Sequence, residues 1–239
     1  MTTDNTLKYH RQCSGTKDIP REYKAILTYI NGLSDILEIG CHTGYFTKLL
    51  HDAGCSVVGV EKNPIAAGYA KKIAKDVIVS DIEIPGTLKQ LAGYDNGFDA
   101  ILFMHVLEHL QDPWKTLRAI KPYLKKNTGF IIITLPNIAA WEIRKNLFFH
   151  GKFEYSEIGI LDKTHLRFFT PATAKKMVLE AGYSIRDFQI LETSIPLGCT
   201  LQKLRWTRNV YRYWESFLKR KFPVFSSATF LITAFPNKS

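Results

Sequence analysis

The sequence predicts a doubly wound α/β fold, and three observations predict it. Short apolar runs alternate with segments of helical periodicity from residue 36 to residue 135. The runs are apolar at consecutive positions, as expected of strands covered on both faces in a mostly parallel sheet. Length and composition agree: 239 residues, 46% hydrophobic and 23% charged, suffice for one large domain with a sizeable core and exclude wholesale disorder.

The elements follow in order. Residues 1 to 16 form a loose polar lead-in. Pro20 opens a helix with Tyr23, Ile26, Leu27 and Ile30 on one face, closed by Gly32. Ile36 to Ile39 is a strand. A helix with Phe46, Leu49 and Leu50 runs to Gly54, and Val57 to Val60 is the second strand. Asn63-Pro64 caps a helix carrying Ile65, Tyr69 and Ile73. Val77 to Val79 and Phe98 to Phe103 are strands. Asp112-Pro113 caps a helix with Leu117, Ile120 and Leu124. Phe130 to Leu135 is the most continuously apolar strand and is far shorter than the ~20 residues of a membrane-spanning helix. Beyond Pro136 come a helix from Ile138 to Phe149, a Thr170-Pro171 capped helix ending at Gly182, a strand from Tyr183 to Ile190, a basic amphipathic helix from Thr200 to Phe222 and a last strand from Ala228 to Phe235.

The four cysteines, Cys13, Cys41, Cys55 and Cys199, have neither metal-type spacing nor a disulfide framework. No metal is expected, and a reducing cytoplasm suits them. The N-terminal residues lack the apolar core of a secretory signal. The formal charge of +10 favours an anionic partner. Between Leu201 and Phe222 stand seven basic residues against one acid, Glu215, so this segment carries +6 of that surplus. Leu204, Tyr211, Trp214 and Leu218 fall on one face of it. Such a helix packs on the sheet as a solvated surface element, touches an anionic membrane, or receives a phosphorylated, lipid-linked or nucleotide-sugar acceptor. No RNA-binding module is recognisable.

The stretch Ile36-Leu37-Glu38-Ile39-Gly40-Cys41-His42-Thr43-Gly44-Tyr45-Phe46 joins a buried strand to a helix through a tight glycine turn. Glycines let the backbone turn sharply and a ligand approach closely, and the helix N-terminus adds unpaired N–H groups. Glu61, closing the second strand, is placed to accept both hydroxyls of a ribose. A dinucleotide fingerprint needs a second glycine where His42 stands, which argues against a nicotinamide-dependent oxidoreductase.

From residue 35 to residue 136 the chain resembles the class I S-adenosylmethionine (SAM)-dependent methyltransferases. Glu38-x-Gly40-x-x-x-Gly44 is similar to their first motif, departing from it at His42. Glu61 matches their ribose acid, and Asp81-Ile82 the pair that reads adenine. His105-Val106-Leu107-Glu108-His109-Leu110, followed by Asp112-Pro113, matches a segment after the fourth strand of many small-molecule members. The resemblance implies a Rossmann-like seven-stranded sheet, mostly parallel with the last strand antiparallel. It also implies SAM as cofactor, with S-adenosylhomocysteine (SAH) as product, held by Glu38, Gly40, Cys41, His42, Gly44, Glu61, Lys62, Asp81, Ile82 and His105.

A second resemblance covers Leu135-Pro136-Asn137, Trp141, Arg144, Gly151, Phe153, Tyr155, Gly159 to Asp162 and Thr164-His165. It is to bacterial methyltransferases associated with cell-surface glycan synthesis. The expectation is one domain over residues 1–239. Residues 17–136 are its cofactor-binding core, and 137–170 and 194–224 are acceptor-site or lid insertions. The expected reaction is methyl transfer to a small-molecule hydroxyl on a sugar, glycolipid or related metabolite. His105, His109 and His165 are the candidate catalytic bases, since histidine ionises near neutral pH; each is equally readable as a structural hydrogen-bonding residue. The alternatives are an RNA methyltransferase, on charge grounds, and an inactive SAM-binding protein, on account of His42.

Overall fold

The computed structural model describes residues 19–94, 96–193 and 208–237. A seven-stranded sheet has β1 (Asp35–Ile39), β2 (Ser56–Glu61), β3 (Asp76–Val79), β4 (Ala100–Met104), β5 (Phe130–Pro136), β6 (Tyr183–Thr193) and β7 (Ser227–Pro236) in the order β3-β2-β1-β4-β5-β7-β6. Neighbours from β3 through β5 pair in parallel, and β7 lies antiparallel to both β5 and β6. The α/β class, the seven strands and the reversed last strand are as expected.

Alternation along each strand sorts side chains to two faces. Ile36, Ala100, Leu102, Phe130 and Ile132 pack on one face against α1 (Arg21–Ile30) through Ile26 and Ile30, and against α2 (Tyr45–Asp52) through Phe46 and Leu50. Leu37, Ile39, Ile101, Phe103, Ile131 and Ile133 pack on the other against α5 (Pro113–Ile120) and α7 (Pro171–Glu180). Ile131 to Ile133 and Leu135 are fully buried, each worth about 1.5–3 kcal/mol. The expected caps are in place. Asn63 accepts from Ile65 and Ala66 N–H, Asp112 from Lys115 N–H, and Thr170 forms a reciprocal capping box with Thr173.

Four details differ from expectation. The helix α3 (Pro64–Ala70) buries Ala66, Ala67 and Ala70 while Ile65 and Tyr69 are exposed, because its alanines pack beside Cys41 and Val77. A short helix, α4 (Pro85–Gln90), lies between β3 and β4, where the sequence pattern assigns no element. Phe98 makes only a bridge to Leu124, and β4 proper starts at Ala100. The helix after β5, α6 (Trp141–His150), starts three residues late and buries none of its side chains. It leaves Leu147, Phe148 and Phe149 exposed rather than completing the core.

The basic helix α8 (Arg208–Lys221) is followed by a single helical turn, α9 (Pro223–Ser226). The first part of the expected basic helix, with Lys203, Leu204 and Arg205, and the start of the 194–224 segment lie outside the described residues. So do the lead-in, Cys13 and Cys199. No helix among the described residues is long and apolar enough to cross a membrane.

Candidate functional site

The C-terminal ends of β1, β2 and β4 open onto one edge of the sheet, where open α/β sheets bind ligands. At the end of β1 the chain turns through Gly40 (φ 74°), His42 (φ 48°) and Gly44 (φ 80°). Gly40 is exposed, and a Cβ on it would come within 2.7 Å of Val106 Cγ2. A Cβ on Gly44 would stand 2.9 Å from the Ala70 backbone, so this glycine lets α2 start hard against α3.

Glu61, 8% exposed, is held by backbone donors. His42 N–H donates to its Oε2 at 2.9 Å and Asn63 N–H to its Oε1 at 2.8 Å. The carboxylate is thereby fixed beside the glycine turn. Lys62 next to it is exposed. Asp81 takes Glu83 N–H on Oδ1 at 2.9 Å, closing a turn that leads into α4, while the Ile82 side chain is buried in the core.

Glu38 points to the α2 face and takes a 2.6 Å hydrogen bond from Thr47 Oγ1. Burial, with a further push from Glu61, raises its carboxyl pKa to about 7 even though the Thr47 bond opposes this. Cys41 turns its sulfur into the core against Gly59, and burial first, then Glu38 and Glu61, push its thiol up. Glu38 and Cys41 thus support the turn from beneath, and the surface they hold up is backbone.

On the neighbouring strand, His105 follows β4 with φ 53°. Its Nε2 lies 3.0 Å from Glu22 Oε1, on α1, and its Nδ1 3.3 Å from Glu108 Oε1. Burial pulls its pKa down, but Glu108 and Glu22 outweigh that and hold it well above the ordinary range. An imidazolium clasped by two carboxylates has no lone pair with which to take a proton. The geometry therefore makes His105 a clasp between α1 and the β4 turn.

A one-turn 3-10 segment, Leu107–His109, comes next. Leu107 is fully buried and so is Glu108. The loop from Gly159 to Thr170 docks on this segment. Leu166 and Arg167 N–H both donate to the Glu108 carbonyl, at 2.8 and 2.9 Å. His109 Nδ1 lies 3.1 Å from the Thr164 carbonyl, and His165 Nδ1 2.9 Å from the Ile160 carbonyl. The two rings meet edge to face at 4.7 Å. Buried Asp162 accepts from the Thr164 N–H and hydroxyl, fixing the loop. Burial lowers the His109 pKa, with His165 adding to the effect and Glu108 opposing it. Beyond His165 the Phe168 ring stands within 6.3 Å, itself flanked by Phe153 and Tyr155 at 5.9 and 6.2 Å.

The structure thus brings Gly40, His42, Gly44 and Glu61 together, and joins His109 with His165 from distant parts of the sequence. Glu22, Thr47 and Glu108 are functional neighbours that sequence reasoning did not single out. Glu22 and Thr47 act through contacts no local pattern announces. Glu108 had a signal, an acid inside the apolar run Val106 to Leu110.

A family model described as a methyltransferase domain matches residues 8–187. A tRNA U34 carboxymethyltransferase of Sulfurimonas denitrificans is 27% identical over 177 residues, 72% of this chain and 55% of that protein. A ubiquinone biosynthesis O-methyltransferase of Histophilus somni is 27% identical over 132 residues, 52% of this chain and 56% of that protein. The chain spans about half the length of these curated relatives. Among solved structures, a SAM-dependent methyltransferase from Archaeoglobus fulgidus superposes with a TM-score of 0.62 at 20% identity, covering 89% of this chain and 90% of that one.

Proposed function

The chain belongs to the methyltransferase-domain family, and from that premise we propose that it transfers the methyl group of SAM to a hydroxyl of a small-molecule acceptor: a sugar, a glycolipid or a related metabolite. The observation that carries the proposal is one of placement. A carboxylate at the end of β2, fixed by backbone donors beside an open glycine turn after β1, shares one sheet edge with a histidine pair that follows β4 and is backed by aromatic rings.

The residues fit the cofactor. Gly40 keeps an exposed backbone at a turn where a Cβ would strike Val106. Glu61 keeps further lone pairs for ribose hydroxyls after accepting two N–H groups. In this reading Gly40, Cys41, His42 and Gly44 contribute backbone, Glu38 supports them, Lys62 flanks the ribose, and Asp81 with the Ile82 N–H reads adenine. Bound SAM supplies an activated methyl on a sulfonium, leaving SAH after transfer. The protein's part is to hold the acceptor in line at about 3–3.5 Å. His109 and His165 face the acceptor and promote the loss of its proton, while His105 fastens the turn that carries them. The Phe168, Phe153 and Tyr155 rings offer an apolar wall for the face of a sugar or aromatic ring. The segments 137–170 and 194–224 serve as acceptor site or lid, and Arg212, Arg220 and Lys221, all exposed, suit an anionic or lipid-linked acceptor in the cytoplasm. The O-methyltransferase relative supports a small hydroxyl acceptor.

The test is direct. Calorimetry should show SAH binding that Glu61→Ala weakens by about tenfold or more, the loss of roughly 1.4 kcal/mol or above. Failure of the wild-type chain to bind SAM or SAH would leave an inactive scaffold. A second reading, RNA methylation, is favoured by the +10 charge and by the tRNA-modifying relative. Labelled methyl from SAM, partitioned between the RNA and small-molecule fractions of a cell extract, separates the two; label in RNA alone overturns the small-molecule reading.

A further inference from the structure

Glu108, His109 and His165 each present a ligand atom within 4.8 Å of the other two. Glu108 is fully buried, and among the described residues neither of its carboxylate oxygens accepts a hydrogen bond. Oε1 has His105 Nδ1 at 3.3 Å, outside hydrogen-bonding geometry, and nothing donates to Oε2. The charge of His105 offsets part of the cost of burying this carboxylate, but no hydrogen bond satisfies its remaining lone pairs. A fold that keeps such a group in place has a use for its open lone pairs.

The two histidines are prepared in the complementary way. The Thr164 and Ile160 carbonyls accept only, so each imidazole carries its proton on Nδ1 and leaves its lone pair on Nε2. A ring nitrogen tied to a backbone carbonyl is the support that orients metal-binding histidines. The support is itself rigid. Asp162 pins Thr164, and the Leu166 and Arg167 N–H groups staple the loop to the backbone of Glu108. All three donors therefore belong to one hydrogen-bonded unit at the acceptor end of the site.

We propose that Glu108, His109 and His165 form a binding site for a divalent first-row metal ion. Two imidazoles and one carboxylate suit Zn²⁺ or Mn²⁺ better than Mg²⁺ or Ca²⁺, which prefer oxygen ligands. The three protein ligands leave at least one coordination position open. The donors would close from their present spacing toward ligand bonds of about 2.0–2.2 Å. For its role the inference rests on the methyl-transfer reading above; for the site itself it does not. An acceptor hydroxyl taken into the open position becomes more acidic on the ion and releases its proton to solvent. Its electron pair then forms the new O–CH₃ bond as the S–CH₃ bond breaks. The histidines would thus act through the ion and not as free bases.

The experiment uses the full chain, stripped with chelator and titrated with MnCl₂, free Mn²⁺ being followed by electron paramagnetic resonance and SAH affinity measured in parallel by calorimetry. The expected result is one Mn²⁺ per chain, displaced by Zn²⁺. His165→Ala and, separately, His109→Ala should weaken it roughly 10–100-fold, with SAH affinity and circular dichroism unchanged. His150→Ala, an exposed position on α6 outside the cluster, should leave the titration as it was. Occupancy well below one ion per chain in the wild type, or wild-type affinity in both histidine variants, overturns the proposal. Because His165 lies on a surface loop, its variant remains informative even where Glu108→Gln fails to fold. Metal bound without SAH would sink the methyltransferase reading and keep the site, whereas SAH bound without metal does the reverse.

Discussion

At φ 48° His42 holds a backbone conformation that costs a residue with a Cβ about 1–2 kcal/mol. That cost gives a physical reason for the glycine usual at this position in the resembling family. His42→Gly should therefore raise stability by up to about 1 kcal/mol, the relief of strain being partly offset by the greater entropy of the unfolded glycine chain. Thermal melting measures the first effect, and an SAH titration shows whether removing the imidazole also tightens binding. Glu38 sets a pH dependence. Unfolded, it ionises near 4.5; folded, only near 7. Between those values the native chain holds a proton that the unfolded chain has lost, so stability falls as pH rises through this window and levels off above it. The full swing is roughly 3 kcal/mol. Melting temperatures of wild type and Glu38→Gln from pH 4.5 to 8 check this: the slope due to Glu38 should vanish in the variant, and parallel curves would refute it. Gly40, Gly44 and Glu61 were legible in the sequence because turn chemistry and strand ends are local. The clasp of His105 by Glu22 was not, since an ion pair between α1 and the β4 turn leaves no trace in either segment.

Helix starts were the most legible elements. Asn63, Asp112 and Thr170 each precede a proline and each caps in the structure, because the donor–acceptor geometry is completed within three residues. Thr170→Ala removes the acceptor for the Thr173 N–H and leaves the reciprocal bond, from the Thr170 N–H to Thr173 Oγ1, in place. It should cost about 1 kcal/mol, lowering the melting temperature by about 2–4 °C. A larger loss would mean that α7 also anchors the 159–170 loop energetically. Helix faces were less legible. In α3 small residues pack and large ones face solvent, since the approach of Ala70 to Gly44 leaves no room for bulk. Helix α6 carries aromatic residues that a binary pattern assigns to a core, yet Phe148 is 82% exposed.

For the molecule as a whole, charge is distributed unevenly, and α8 displays Arg212, Arg220 and Lys221 beside exposed Tyr213, Trp214 and Phe222. Basic and aromatic side chains on one short helix suit an anionic lipid surface. Vesicles containing phosphatidylserine should sediment with the chain at low salt and release it near 0.5 M NaCl, where the Debye length is only about 4 Å. Neutral vesicles should retain little, and equal binding to both would rule out the electrostatic contact. The reversal of the last strand was legible only through resemblance, and the strand order not at all. Periodicity finds strands but does not say that β7 enters between β5 and β6. That insertion has a consequence for assembly. The last of the seven strands is an interior one, with Ile232 opposite Ile133 on one side and Phe188 on the other. Until residues 227–236 leave the ribosome, β6 has no partner to join and β5 is a bare edge. Up to that point the sheet is half built, with one of its most water-averse strands on the open flank, so the last of the seven strands to be made works as the zip that shuts it.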